Sequence, residues 1–261
     1  KKRFIKMKQS TENEKNETFV SHLSELRSRL IKSFLFLIGT FLICYFFSEN
    51  IYAYLVKPYS NAILENNLDR RLIFTALHEA FLTYIKVSFF AAFLITSPIF
   101  LTQIWKFIAP GLYKNEKKAL LPYLIATPIL FIFGSCLVYY LIMPLAINFF
   151  LTFETVAQSG NVAIELEAKV NEYLSLIMRL IFAFGLSFQL PVVLSLLARI
   201  GIIDSEYLRT RRKYVVVIIF AFAAILTPPD PITQIGLALP LLILYELSIF
   251  TVKFIERKKD A

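Results

Sequence analysis

Six stretches of nearly unbroken apolar residues, separated by charged segments, dominate the pattern along the chain. They are Leu30–Phe47, Phe81–Ile104, Leu120–Leu145, Tyr173–Ala198, Tyr214–Leu226 and Ile235–Val252. Runs of this kind read as membrane helices. Lipid offers backbone groups no water, so each run must bond within itself unless the chain closes a barrel. The apolar residues do not alternate strictly with polar ones, which excludes the barrel. The expectation is an all-α integral membrane protein with six transmembrane helices.

Prolines refine that expectation. Pro98, Pro128, Pro191 and Pro240 fall inside runs. Each removes a backbone donor and bends its helix, so the bundle should be kinked and cupped. The fifth run has only about 13 residues, roughly 20 Å of helix. A typical hydrocarbon core is about 30 Å thick, so local thinning of the bilayer is expected there. The segments Ser48–Ala80 and Asn148–Glu172 mix apolar and acidic residues and suit short helices over one end of the bundle. Thr227-Pro-Pro-Asp-Pro231 reads as a stiff turn between the last two spans.

Composition agrees, with 57% hydrophobic residues and 26 Phe in 261 residues. A net charge of +9 in a soluble chain would suggest nucleic acid, but the distribution argues otherwise. Twenty-one of the 28 lysines and arginines flank one side of the spans and four the other, Lys57, Arg70, Arg71 and Lys169. The positive-inside rule then puts both termini in the cytoplasm, with no nucleic acid needed to explain the charge. The lysine-rich start lacks the short apolar core and small-residue cleavage site of a signal peptide. Residues 1–18 read as a polar, disordered extension, 19–253 as one membrane domain and 254–261 as a basic tail. A surface helix is expected over Thr18–Arg29, with Phe19, Leu23, Leu26 and Leu30 on one face. Cys44 and Cys136 read as buried small residues.

Conventional catalysis and metal binding find no support. His22 and His78 fall on opposite sides, and no nucleophile motif, phosphate loop or ligand cluster occurs. Two carboxylates set among basic residues are the sharper candidates. Glu25 lies in Phe19-Val-Ser-His22-Leu-Ser-Glu25-Leu-Arg27-Ser-Arg29, and Glu116 closes Trp105-Lys-Phe107-Ile-Ala-Pro110-Gly-Leu-Tyr113-Lys-Asn-Glu116. A carboxylate takes two parallel bonds from a guanidinium fork. The plainer alternative pairs Glu25 with Arg29 and Glu116 with neighbouring lysines as solvated ions. Gln103, Arg179, Gln189 and Glu246 are polar groups within or near spans, where such groups are costly. Gln189 lies about mid-span; Arg179 and Glu246, nearer the ends, can be satisfied by snorkelling or pairing.

These motifs, with Phe184-Gly-Leu-Ser-Phe-Gln189-Leu-Pro191 and Leu226-Thr-Pro-Pro-Asp230, resemble the TatC family, the receptor subunit of the twin-arginine protein translocase. The resemblance covers about Phe19–Lys253 in order. It implies a non-enzymatic receptor without cofactors in a bacterial inner membrane, working from the proton gradient. The implied partners are twin-arginine signal peptides of folded passengers, small single-span subunits of TatA and TatB type, lipid, and further copies of the chain. By motif match, Glu25 and Glu116 contact the two signal arginines, with Arg27, Arg29, Phe107, Pro110 and Tyr113 contributing to recognition. Thr227, Asp230 and Gln234 match a region where a partner helix docks, and Pro58 a structural position. The family position at Gln189 is glutamate in some members, and glutamine there bonds without carrying charge. Two rivals remain from the residues alone. A small-anion transporter needs convergent polar groups and repeats; a structural scaffold would be indifferent to losing Glu25 or Glu116.

Overall fold

The computed structural model describes residues 24, 26–112, 117–155, 165–227 and 230–260. The expected disordered extension over 1–18 and most of the expected surface helix lie outside these residues. The described chain is helical throughout, apart from loops and one isolated bridge between Ile73 and Lys169.

Helix α1 (Leu26–Phe46) leads through a one-residue turn into α2 (Ser48–Glu65). The long α3 (Glu79–Leu112) returns across the bundle. Helix α4 (Lys117–Leu137) continues through a π-helical turn, Val138–Ile142, into α5 (Met143–Leu151). Next come α6 (Val170–Ser187), α7 (Leu190–Ile200), α8 (Ser205–Leu226) and α9 (Pro231–Asp260). Five segments are long and apolar enough to cross a membrane: α1, α3, α4–α5, α6–α7 and α9. The fifth expected run forms the second half of α8. That helix is 22 residues long, but Arg209, Arg211, Arg212 and Lys213 occupy its exposed first half. The apolar part therefore stays short within a helix of ordinary length.

The core forms where α6 crosses α4 at two glycines. A Cβ on Gly134 would meet the Phe184 carbonyl oxygen at 2.8 Å, and one on Gly185 would meet the Phe131 ring at 2.7 Å. Phe131 and Phe184 are fully buried there. Small residues permitting close helix approach are a recurrent packing device in lipid. Helix α1 packs more lightly, through Leu37 and Cys44 against Ala92 of α3.

Two of the prolines within the runs leave a visible mark, Pro98 on a hydrogen bond and Pro191 on a helix boundary, while Pro128 and Pro240 lie inside unbroken helices. Pro98 cannot bond Leu94, and Ser97 Oγ donates to the Leu94 carbonyl at 2.8 Å. Pro191 ends the fourth run as one helix: α6 stops at Ser187, and Phe188 and Gln189 form a turn before α7. Pro144, which has no N–H for Tyr140, follows the π turn, in which Met143 N bonds Val138 O.

One end of the bundle is covered by α2, by the loop 66–78 and by the described residues 152–155 and 165–169. We call it the capped face, and the opposite end the basic face. The expectation of a short helix holds for the first loop, where α2 runs 18 residues; the middle of the second lies outside the described residues. Among the described residues of 152–169 there is no helix. Cys136 departs from its expected burial and is exposed, while Cys44 is buried.

Candidate functional site

At the basic face, Arg29 is half-buried and its Nη1 donates to Gln103 Oε1 of α3 at 2.8 Å. An arginine at a span's end needs an acceptor for its guanidinium, and an amide oxygen 74 residues away supplies it. Arg27, two residues earlier, is exposed. Glu25 lies outside the described residues, as do Tyr113 and Glu116 between α3 and α4. Phe107 and Pro110 belong to α3, with side chains outside the described set. The structure thus joins the last residue of the first motif to a residue just ahead of the second, a pair that spacing could not reveal. Glu246, singled out as a polar residue within a span, pairs with Arg212 of α8 at 2.6 Å. Arg179 is exposed.

Gln189 occupies the break between α6 and α7 and is 6% exposed. Its Nε2 donates to the Thr127 carbonyl of α4 at 2.9 Å. Its Oε1 is buried with no hydrogen-bond partner among the described residues. Leaving such an acceptor dry is costly, so this atom is suited to a donor brought by another chain.

The turn between α8 and α9 uses its polar groups locally. Asp230 caps α9, its Oδ1 accepting from Thr233 N at 2.7 Å and its Oδ2 from the Thr233 hydroxyl. With Pro231 opening the helix, this is a familiar N-terminal arrangement. Thr227 Oγ1 donates to Ala223 O at 2.9 Å, and Gln234 Nε2 reaches Phe220 O at 3.4 Å.

Pro58 is buried in α2. Lacking an N–H, it leaves the Tyr54 carbonyl free, and Tyr139 Oη donates to that oxygen at 2.7 Å. Tyr173 Oη likewise reaches Leu55 O at 3.0 Å. Two tyrosines from the spans thereby fasten α2 onto the bundle.

The loops of the capped face are tied more tightly still. Arg70 grips Glu154 with two bonds, Nε to Oε1 at 3.2 Å and Nη2 to Oε2 at 3.3 Å, and also contacts Glu165. Leu166 N adds a bond to Glu154 Oε1 at 2.8 Å. The Arg70 guanidinium holds the Glu154 carboxyl below the usual carboxylate range, against an opposing effect of burial. Glu79 accepts from Thr75 N at 2.7 Å and Asn171 N at 3.3 Å, joining the two loops again. Bonds from Ile73 N to Ala168 O and from Val170 N to Ile73 O complete the join.

The family described as Sec-independent protein translocase protein (TatC) matches residues 21–240. A Sec-independent protein translocase protein TatC from Magnetococcus marinus is 47% identical over 246 residues, covering 94% of this chain and 88% of that one. Its counterpart from Rickettsia prowazekii is 47% identical over 239 residues, covering 92% and 94%. A crystal structure titled Twin Arginine Translocase Receptor TatC superimposes with a TM-score of 0.75 at 37% identity, covering 90% of this chain and 99% of that one.

Proposed function

The chain belongs to the TatC family, and from that membership we propose that it is the signal-peptide receptor of a translocase exporting folded proteins. It is a multi-pass membrane component of the twin-arginine translocase and belongs to a non-enzymatic transport family. In the proposed mechanism, Glu25 and Glu116 each take one arginine of a twin-arginine signal through paired, charge-assisted hydrogen bonds. Arg27, Phe107, Pro110 and Tyr113 shape the surrounding surface. The proton gradient drives transport.

The observation that carries this reading is the bond between Arg29 and Gln103. Glu25 precedes Arg29 by four residues in the sequence, and Gln103 lies on the helix that leads toward Glu116. One interhelical bond therefore holds the approaches to both carboxylates at the same end of the bundle. Arg29 acts in this reading as a positioning residue rather than a signal contact.

The charge asymmetry supports placing the basic face, with both termini, in the cytoplasm of a bacterium whose inner membrane holds the protein. The buried, unpartnered Oε1 of Gln189 suits a donor from a single-span subunit of TatA or TatB type. Gln234, whose intrachain bond is long, suits an exchange of partners at the α8–α9 turn, with Thr227 and Asp230 holding that turn in shape. Pro58 serves the cap through Tyr139.

The test is export of a twin-arginine passenger by a Glu25→Ala, Glu116→Ala double variant. Export should fall to background while the protein's level in the membrane and Sec-dependent export stay normal. Wild-type export by that variant would refute arginine recognition by this pair.

A further inference from the structure

Two cavities of about 280 Å3 each meet at a wall formed by Tyr54, Tyr139 and Tyr140. One lies within the membrane-spanning part, between α2, α3, α4 and α6, and is almost wholly apolar, with Phe90, Leu94, Ile132 and Cys136 in its lining. The other lies at the capped face and is lined by Lys57, Asn61 and Glu65 of α2. Those three residues recur at four-residue steps, so they share one face of the helix. We infer that the two cavities form a single binding groove for one phospholipid of the leaflet on the capped side, with a headgroup that pairs a phosphate with a primary amine.

Depth supports an acyl chain below. From Tyr140 down to Phe131 the lining spans nine residues of helix, about 14 Å. Half of a typical hydrocarbon core is about 15 Å. The groove therefore reaches from the interface to the midplane, the length one leaflet offers.

Charge supports the headgroup above. Arg70 is paired with Glu154, Lys169 with Glu172, and Lys86 with Asn171. Lys57 has no ion pair or hydrogen bond among the described residues, and neither does Glu65. A cation and an anion lining one cavity complement a phosphate and an ammonium. The tyrosines add a donor. The hydroxyls of Tyr54 and Tyr140 lie 3.1 Å apart, while the Tyr139 proton goes to the Tyr54 carbonyl. Whichever of the pair donates to the other, one phenolic proton remains for an outside acceptor, which a phosphate oxygen supplies. Tyr54 and Tyr139 stack with centroids 4.6 Å apart, fixing this wall at the depth where tyrosines meet headgroups.

The full-length protein, purified and delipidated in mild detergent, is titrated with dioleoyl phosphatidylethanolamine, phosphatidylcholine or phosphatidylglycerol. Bound lipid is counted by native mass spectrometry. One molecule of phosphatidylethanolamine should bind with half-saturation about tenfold below that of the other two. Phosphatidylcholine has no ammonium proton for Glu65, and phosphatidylglycerol has no amine. Glu65→Gln should remove that preference, Lys57→Gln should weaken binding of all three lipids together, and Cys136→Trp should abolish the tight site by filling the groove, all with unchanged melting temperature. Glycerophosphoethanolamine, which lacks acyl chains, should not compete. Equal binding of all three lipids, or an unchanged titration in folded Lys57→Gln, overturns the assignment. Displacement of the lipid by an equimolar twin-arginine signal peptide also overturns it, assigning the groove to a peptide.

Discussion

Over an 18-residue apolar stretch of the span formed by α6 and α7, 56% of residues are buried inside the protein; over the corresponding stretch of α1 the share is 17%. The first is the spine of the bundle. It crosses α4 at glycine contacts, meets α9 and α3, and starts at the loop junction held by Glu79. The second leans on α3 through Leu37, Cys44 and the bond from Arg29 to Gln103. Yet α1 follows directly on one of the two acidic motifs. Packing energy and candidate recognition chemistry are therefore concentrated in different helices. A change in the spine should cost folding, whereas a change at the α1–α3 contact should cost function at little expense in stability.

Breaking the spine should give the largest effect. Gly134→Leu forces a side chain against the Phe184 carbonyl, and overpacking of this kind costs about 3 kcal/mol. The yield of folded protein in detergent should collapse. Near-normal yield would mean that α4 and α6 separate easily, which would erase the contrast.

Next is the cap that anchors the spine's first turn. Glu154→Gln replaces a gripped carboxylate and should lower the melting temperature by several degrees at neutral pH. Because the folded carboxyl has a depressed pKa, its contribution is complete above the unfolded value near 4. It is lost as pH falls through the lower folded value. The difference between wild type and variant should stay level from about pH 8 to 5 and close below about pH 4. A difference unchanged at acid pH would show that shape rather than charge holds this junction.

The α8–α9 turn separates capping from docking. Asp230→Ala should cost about 1 kcal/mol and Asp230→Asn a few tenths, since asparagine caps nearly as well. Chemical denaturation measures both. Equal losses would mean that the negative charge itself matters there.

The smallest change in stability should come from α1. Gln103→Leu removes one acceptor of Arg29 and should cost no more than about 1 kcal/mol. Passenger export should nonetheless fall several-fold at equal protein level, which quantitative export assays will read. Unimpaired export would leave α1 held by packing alone.

Much of the spine was legible in the chain. Hydrophobic runs marked the spans, and Pro191 marked the break that places Gln189 at a bend rather than inside a continuous helix. The Asp-Pro-Ile-Thr sequence at 230–233 also carries a readable cap signal, since Asp before Pro at a helix start supplies an acceptor for the first free N–H groups. What could not be read were partners far apart in sequence. The bond from Tyr139 to the carbonyl freed by Pro58 joins residues 85 apart, and Arg70 meets Glu154 across 84. Local periodicity reports which face of a helix is apolar, not which distant polar group will meet it. Glu25 and Glu116 were legible only as motifs, since a carboxylate among lysines looks the same whether it binds a ligand or water.

The glycine contacts between α4 and α6 also bear on how the protein is made. A helix entering the bilayer alone can satisfy its backbone, but Phe131 and Gly134 have no matching surface until α6 arrives. A nascent chain halted at the loop 152–169 would present that unfilled seam to lipid, available to any other small-residue helix nearby. The close approach of α4 and α6 therefore forms only once both helices are in the bilayer.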